Sequence, residues 1–255
     1  MPLELETIPC LSDNYAFLLR DTRTGTVALV DAPDADAIIT AVERTGWSPD
    51  MILLTHHHWD HVDGVEKLRE EYGSMVVGAQ ADAGRLPALD REVVPGDTIS
   101  VGESTARILD VSGHTVGHIA YAFDGAGMVA TADSLMALGC GRIFEGTPEM
   151  MWKSLSQFLD MPDDMQILSG HEYTEKNAAF ALTIEPGNEA LGKRAETIRQ
   201  LRLLGRPTVP STLGDEKATN PFLRAHLPEV KAAIGMEGAS DADVFAEIRR
   251  RKDDF

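Results

Sequence analysis

The segment Thr55-His56-His57-His58-Trp59-Asp60-His61 places four of the chain's eight histidines and an aspartate within one short stretch, directly after the apolar run Met51-Ile52-Leu53-Leu54. Side chains two apart on an extended backbone share a face. His56 and His58 can therefore converge on one cation while His57 points away. Asp60 and His61, at the turn into a following helix, then face a neighbouring position. A His-x-His-x-Asp-His spacing is too specific to read as a solvated loop that happens to be rich in histidine.

Three more donors stand at the ends of apolar runs: His114 in Ser112-Gly113-His114-Thr115, Asp133 in Ala130-Thr131-Ala132-Asp133-Ser134, and His171 in Leu168-Ser169-Gly170-His171-Glu172. Any one alone would be bland, since a single histidine beside a glycine is more often a loop or core residue. Together with His56, His58, Asp60 and His61 they supply five imidazoles and two carboxylates. That is what two divalent ions need if each takes three terminal ligands and one carboxylate bridges them. Asp133 is the candidate bridge, because a carboxylate has two oxygens and a neutral imidazole one lone pair. Such a pair of ions makes water acidic enough to attack an acyl carbon near neutral pH, and Asp60 can additionally orient the attacking oxygen. Zinc is the first expectation for this ligand set, with iron or manganese as alternatives.

The elements that must position these groups follow from hydrophobic periodicity. Leu3–Cys10, Tyr15–Arg20, Val27–Asp31, Met51–Thr55, Met75–Ala79, Ala106–Val111, Ile119–Phe123, Met128–Ala132 and Met165–Ser169 read as strands. Asp34 to Thr45, His61 to Tyr72 and Pro148 to Leu159 read as helices, the last with Thr147 as N-cap. The mixture predicts an α/β domain of stacked sheets with helices outside. After Gly170 the pattern turns helical, over Thr174–Ile184, Asn188–Leu204, Glu229–Ile234 and Asp241–Lys252, with Gly205–Pro221 as a long loop. Two domains are expected: one at 1–172 that carries the donors and a smaller, all-helical one at 173–255.

Composition narrows the partners. The formal charge of −18 would repel a phosphate backbone, which argues against nucleic acid. Cys10 and Cys140 are too few and too far apart for a disulfide framework or a thiolate cluster, and fit a reducing compartment. No apolar run approaches the roughly 20 residues of a membrane-spanning helix, and the start lacks a secretory pattern. A cytoplasmic monomer with a small-molecule substrate and no membrane partner is the expectation.

With Thr-His-x-His-x-Asp-His intact at Thr55–His61 and later His, Asp and His in order, the chain resembles the metallo-β-lactamase superfamily. The resemblance implies an αββα sandwich, with His56, His58 and His114 on one metal, Asp60, His61 and His171 on the other, and Asp133 bridging. Within the superfamily it is similar to the glyoxalase II (hydroxyacylglutathione hydrolase) family almost end to end. The resemblance rests on Ser12-Asp13-Asn14-Tyr15, Gly113-His114-Thr115-Val116-Gly117-His118, Cys140-Gly141-Arg142, Gly170-His171-Glu172-Tyr173-Thr174, Asn220-Pro221-Phe222-Leu223-Arg224 and Arg249-Arg250-Arg251-Lys252-Asp253.

That family hydrolyses S-2-hydroxyacylglutathione thioesters such as S-D-lactoylglutathione, the second step of methylglyoxal detoxification. Its glutathione contacts fall here on Arg142, Phe144, Tyr173, Arg249 and Lys252. Lys is usual where Arg142 stands and Tyr where Phe144 stands. The Arg keeps the charge with a different geometry, and the Phe forfeits a hydroxyl hydrogen bond of about 0.5–1.5 kcal/mol. The basic C-terminal run also complements the dipole of a helix end, so by itself it marks no ligand.

Three rivals share these motifs. A lactonase or other thioesterase on the same fold would use the same metals. An iron-dependent persulfide dioxygenase would not need Asp60 as a second-site ligand, and a non-catalytic metal-binding module would bind two ions and turn nothing over.

Overall fold

The computed structural model describes residues 2–255 and divides them into two compact units. The first comprises the described residues up to Asp110 together with Val116–Ala132, and the second Val111–Thr115 with Asp133–Phe255.

In the first unit, β1 (Leu3–Cys10), β2 (Asn14–Asp21), β3 (Val27–Val30), β4 (Met51–Leu53), β5 (Met75–Ala79) and β6 (Arg91–Val93) lie side by side in that order. β1, β2 and β3 pair antiparallel, and β3 through β6 pair parallel. Parallel neighbours need crossovers. The first is α1 (Ala35–Thr45), capped by Asp34, whose side chain accepts from the amides of Asp36 and Ala37, and stopped by left-handed Gly46. The second is the pair α2 (Trp59–Val62) and α3 (Val65–Tyr72). Ile38, Ala41 and Val42 of α1 and Val65 and Leu68 of α3 bury their apolar faces against Leu18, Leu29, Ile52 and Val76.

One helix over His61–Tyr72 was expected, and two form. Gly64 breaks the run because its amide donates to Ala32 O (2.8 Å) and a Cβ there would lie 2.9 Å from that oxygen. A second run of strands, β7 (Thr98–Val101), β8 (Ser104–Asp110), β9 (Ile119–Phe123) and β10 (Met128–Ala132), pairs antiparallel in the order β10-β9-β8-β7. Tyr121 on β9 donates its hydroxyl to Leu54 O (2.8 Å), and the Ile119 amide donates to Thr55 O (3.0 Å), so this run holds the segment after β4.

In the second unit, β11 (Leu135–Met136) and β12 (Gly139–Cys140) form a short hairpin. α4 (Pro148–Ser156), capped by Thr147 as expected, is followed by β13 (Gln166–Ser169), α5 (Thr174–Ile184) and α6 (Glu189–Leu203). The expected loop Gly205–Pro221 instead contains β14 (Ser211–Thr212), paired with β13, and α7 (Leu213–Thr219). It then gives way to α8 (Pro228–Ile234) and α9 (Asp241–Asp253).

Distant partners order that stretch. Glu216 of α7, fully buried, accepts the Leu138 amide (2.8 Å), and Asn220 donates to Met136 O (3.1 Å) and Gly139 O (2.9 Å). Compactness thus groups residues 133–171 with the helices that follow, whereas the change from strand to helix patterning falls at 172. No helix among the described residues is long and apolar enough to cross a membrane.

Candidate metal centre

Within the first unit the donors cluster where β4 ends. His56 Nε2 and His58 Nδ1 lie 3.2 Å apart, while His57 turns away to meet Asp82 Oδ2 (2.9 Å). This is the alternation that the extended segment predicts. Asp60, in the first turn of α2, is held by Asn14, which donates to its backbone oxygen (2.9 Å) and to Oδ2 (3.1 Å). His61 is fully buried, and its Nδ1 contacts Asp31 Oδ2 (2.8 Å).

Asp31, just past β3 with φ 55, organises the imidazoles. It accepts the Thr55 amide on Oδ1 (2.9 Å) and the Thr55 hydroxyl on Oδ2 (2.8 Å). Since the single hydroxyl proton goes to Asp31, the Thr55 oxygen must accept from His56 Nδ1 (3.0 Å). His61 Nδ1 donates to the same carboxylate. Both rings therefore present Nε2 as a lone pair, the form a metal takes. Donor atoms of Asp31, His56 and His61 lie within 4.8 Å of one another, but the Asp31 oxygens are already spent on orienting the other groups. The His118 ring stacks on His56, centroids 4.5 Å apart.

Within the second unit His114, Asp133 and His171 come together, all buried. His114 Nδ1 donates to Arg142 O (2.7 Å), which leaves its Nε2 a lone pair facing Asp133 Oδ2 at 3.4 Å. His171 Nε2 stands 3.3 Å from the same oxygen. A lone pair facing a carboxylate oxygen repels unless positive charge lies between them. Ligands about 2.0–2.1 Å from a tetrahedral zinc-sized ion sit about 3.3 Å from each other. The 3.2 Å spacing of His56 and His58 and the 3.3–3.4 Å spacings around Asp133 match that edge, so the donor chemistry fits metal.

The expected substrate residues all lie in the second unit. Arg142 is exposed, with Nε 3.5 Å from Asp253 Oδ1, and Phe144 is exposed with its ring centroid 5.3 Å from that of His114. Tyr173 stacks on His171 (4.7 Å). Lys252 Nζ lies between the Phe180 and Phe255 rings (5.0 and 5.2 Å) and donates to Lys176 O (3.3 Å). Burial, reinforced by neighbouring Arg249, pushes its ammonium down to about 8. Arg249, in contrast, is only 7% exposed.

Residue patterning singled out neither Asp31 nor Asp82. Each lies far in sequence from the histidine it contacts, and a lone Asp after a strand is not distinctive. Of the aromatics, Trp59 is 65% exposed and Tyr15 buried.

Comparison with known proteins agrees with this geometry. Residues 12–171 match the family model for the metallo-beta-lactamase superfamily, and residues 172–255 match the one for the hydroxyacylglutathione hydrolase C-terminus. A hydroxyacylglutathione hydrolase of Ruegeria pomeroyi is 58% identical over 255 residues, and one of Cereibacter sphaeroides is 57% identical, each alignment covering 100% of both chains. Among solved structures, ETHE1 from Myxococcus xanthus superposes with a TM-score of 0.68 at 23% identity, covering 98% of this chain and 90% of that one, a likeness of fold.

Proposed function

The chain belongs to the hydroxyacylglutathione hydrolase (glyoxalase II) family of the metallo-β-lactamase superfamily, and from that premise we propose that it hydrolyses S-D-lactoylglutathione and related S-2-hydroxyacylglutathiones to the hydroxyacid and glutathione. The observation that carries the reading is Asp133 Oδ2 lying between the Nε2 atoms of His114 and His171, a carboxylate flanked by two metal-type donors. In this reading His56, His58 and His114 would hold one ion, Asp60, His61 and His171 would hold the other, and Asp133 would serve both. Zinc is the first candidate, and iron and manganese suit the same ligands.

When bound, two such ions would supply the chemistry of lowering a water's pKa toward neutral, enough for attack on a thioester. The protein's part is positioning. Asn14 holds Asp60 so that its carboxylate orients the attacking water, and Asp31 sets the histidine tautomers. No strong general acid is required, because a thiol with a pKa around 8.5 leaves readily as thiolate. Residues 1–172 form the proposed catalytic domain and 173–255 the proposed substrate domain, with Arg142 and Phe144 of the first and Tyr173 and Lys252 of the second serving glutathione. Every proposed ligand comes from one chain, so a monomer suffices. The protein's negative field makes a local cationic clamp necessary for an anionic substrate.

Purified protein should contain two metal ions per chain and release free thiol from S-D-lactoylglutathione faster than from lactones or other thioesters. A fully metallated protein that leaves this substrate intact would end the proposal. Arg142→Ala should raise KM several-fold with a smaller loss of kcat, because an exposed charge contributes ground-state binding. An unchanged KM would count against a substrate contact. Lys252 binds an anion only while protonated, so KM should climb as pH rises through about 8, and Lys252→Met should remove that limb. Inhibition by free glutathione should weaken more on this substitution at low salt than at high, and salt-independent behaviour would refute the clamp.

A further inference from the structure

Arg249 carries the charge of a substrate-binding residue but not the exposure of one. Its Nη1 donates to Cys140 O (3.1 Å), its Nη2 to Asp253 Oδ1 (2.9 Å), and its guanidinium packs on the Phe222 ring (5.1 Å). Burial pushes the Cys140 thiol up to about 11, so at neutral pH it stays protonated and the cation is met by the carbonyl and by Asp253.

The segment that Arg249 grips leads straight to two candidate ligands. One residue on, the Gly141 amide donates to Asp133 O (3.0 Å), and a Cβ at Gly141 would collide with that carbonyl and lie 2.8 Å from His114 Nδ1. One residue further, the Arg142 carbonyl accepts the His114 Nδ1 proton (2.7 Å), and the Phe144 amide donates back to His114 O (3.1 Å). The backbone of 140–144 thus sets the tautomer and orientation of His114 and abuts Asp133, while Arg249 pins it from the other side.

We propose that Arg249 is a positioning residue for the metal centre, acting through the Cys140 carbonyl to hold the Arg142 carbonyl against His114. This rests on His114 and Asp133 being metal ligands. Partners that orient a metal ligand typically affect affinity about 10–100-fold when lost. A substrate contact would instead affect KM alone.

The test compares Arg249→Met with Lys252→Met by zinc affinity in chelator competition, metal content after gel filtration, and kcat and KM. Arg249→Met should bind zinc about 10–100-fold more weakly and lose kcat, while Lys252→Met keeps zinc affinity and raises KM. Arg249→Lys keeps the charge but cannot donate to Cys140 O and Asp253 in one plane, so it should share the zinc defect. If Arg249→Met fails to fold, as judged by thermal unfolding, Arg249→Lys is read by the same criteria.

Zinc affinity within twofold of the parent, with only KM raised, would overturn the proposal. A parent that takes up no metal overturns both this assignment and the proposed reaction. A parent that binds metal but cleaves no thioester overturns the reaction alone.

Discussion

Asp133→Ala is expected to strip metal from the protein and to lower kcat by at least about 10²–10³-fold, the loss that removal of one dedicated electrostatic group already brings. The reasoning is electrostatic. His114 Nε2 and His171 Nε2 both stand 3.3–3.4 Å from Asp133 Oδ2, which is why this carboxylate is the one proposed to serve both donor sets. Its removal leaves Asp60 as the one carboxylate in the proposed ligand set to balance two divalent charges. Asp133→Asn keeps the shape but not the charge, and should also lose metal, which separates the electrostatic role from packing. Elemental analysis and steady-state kinetics on the same preparation check both variants. Full metal content with full activity in Asp133→Ala would rule out the bridge.

The second large effect is expected at Asp31, which touches no proposed substrate atom. Asp31→Ala leaves the Thr55 amide, the Thr55 hydroxyl and His61 Nδ1 without their acceptor inside the core, at about 1–3 kcal/mol for each buried group. Zinc affinity should fall about 10–100-fold.

Asp31→Asn is the sharper probe. Asn tolerates the left-handed backbone at this position, so the change is chemical rather than conformational. An amide nitrogen facing His61 would favour the tautomer with its proton on Nε2, the atom proposed to bind metal. Nitrogen-15 spectra of the metal-free protein should show the His61 proton moving from Nδ1 in the parent to Nε2 in the variant. An unaltered tautomer together with unaltered zinc affinity would show that Asp31 does not orient the ligands.

The candidate ligands were legible in the chain because each follows an apolar run, and short-range rules govern what a strand end presents. Alternation along an extended segment put His56 and His58 on one side and His57 on the other. Capping chemistry marked the start of α4 at Thr147, and the −18 charge argues against a nucleic-acid partner. Local patterning likewise placed β1, β5, β9, β10 and α5 at their observed limits, since β5, β9 and β10 are short apolar runs buried nearly throughout and α5 buries residues at helical spacing.

What the sequence left open depends on atoms far apart along the chain. The break at Gly64 needs the Ala32 carbonyl, α7 needs the Leu138 amide and Asn220, and the tautomers of His56 and His61 need Asp31. Arg249 shows the same limit. Residue type and position gave it the look of a solvated or substrate-facing cation, and only the packing of α9 against Cys140 and Phe222 shows its charge spent inside the protein. Type and local spacing determine which chemistry a residue can perform. Tertiary structure decides which partner its lone pairs, protons and charge meet, because that partner is chosen by the path of the whole chain.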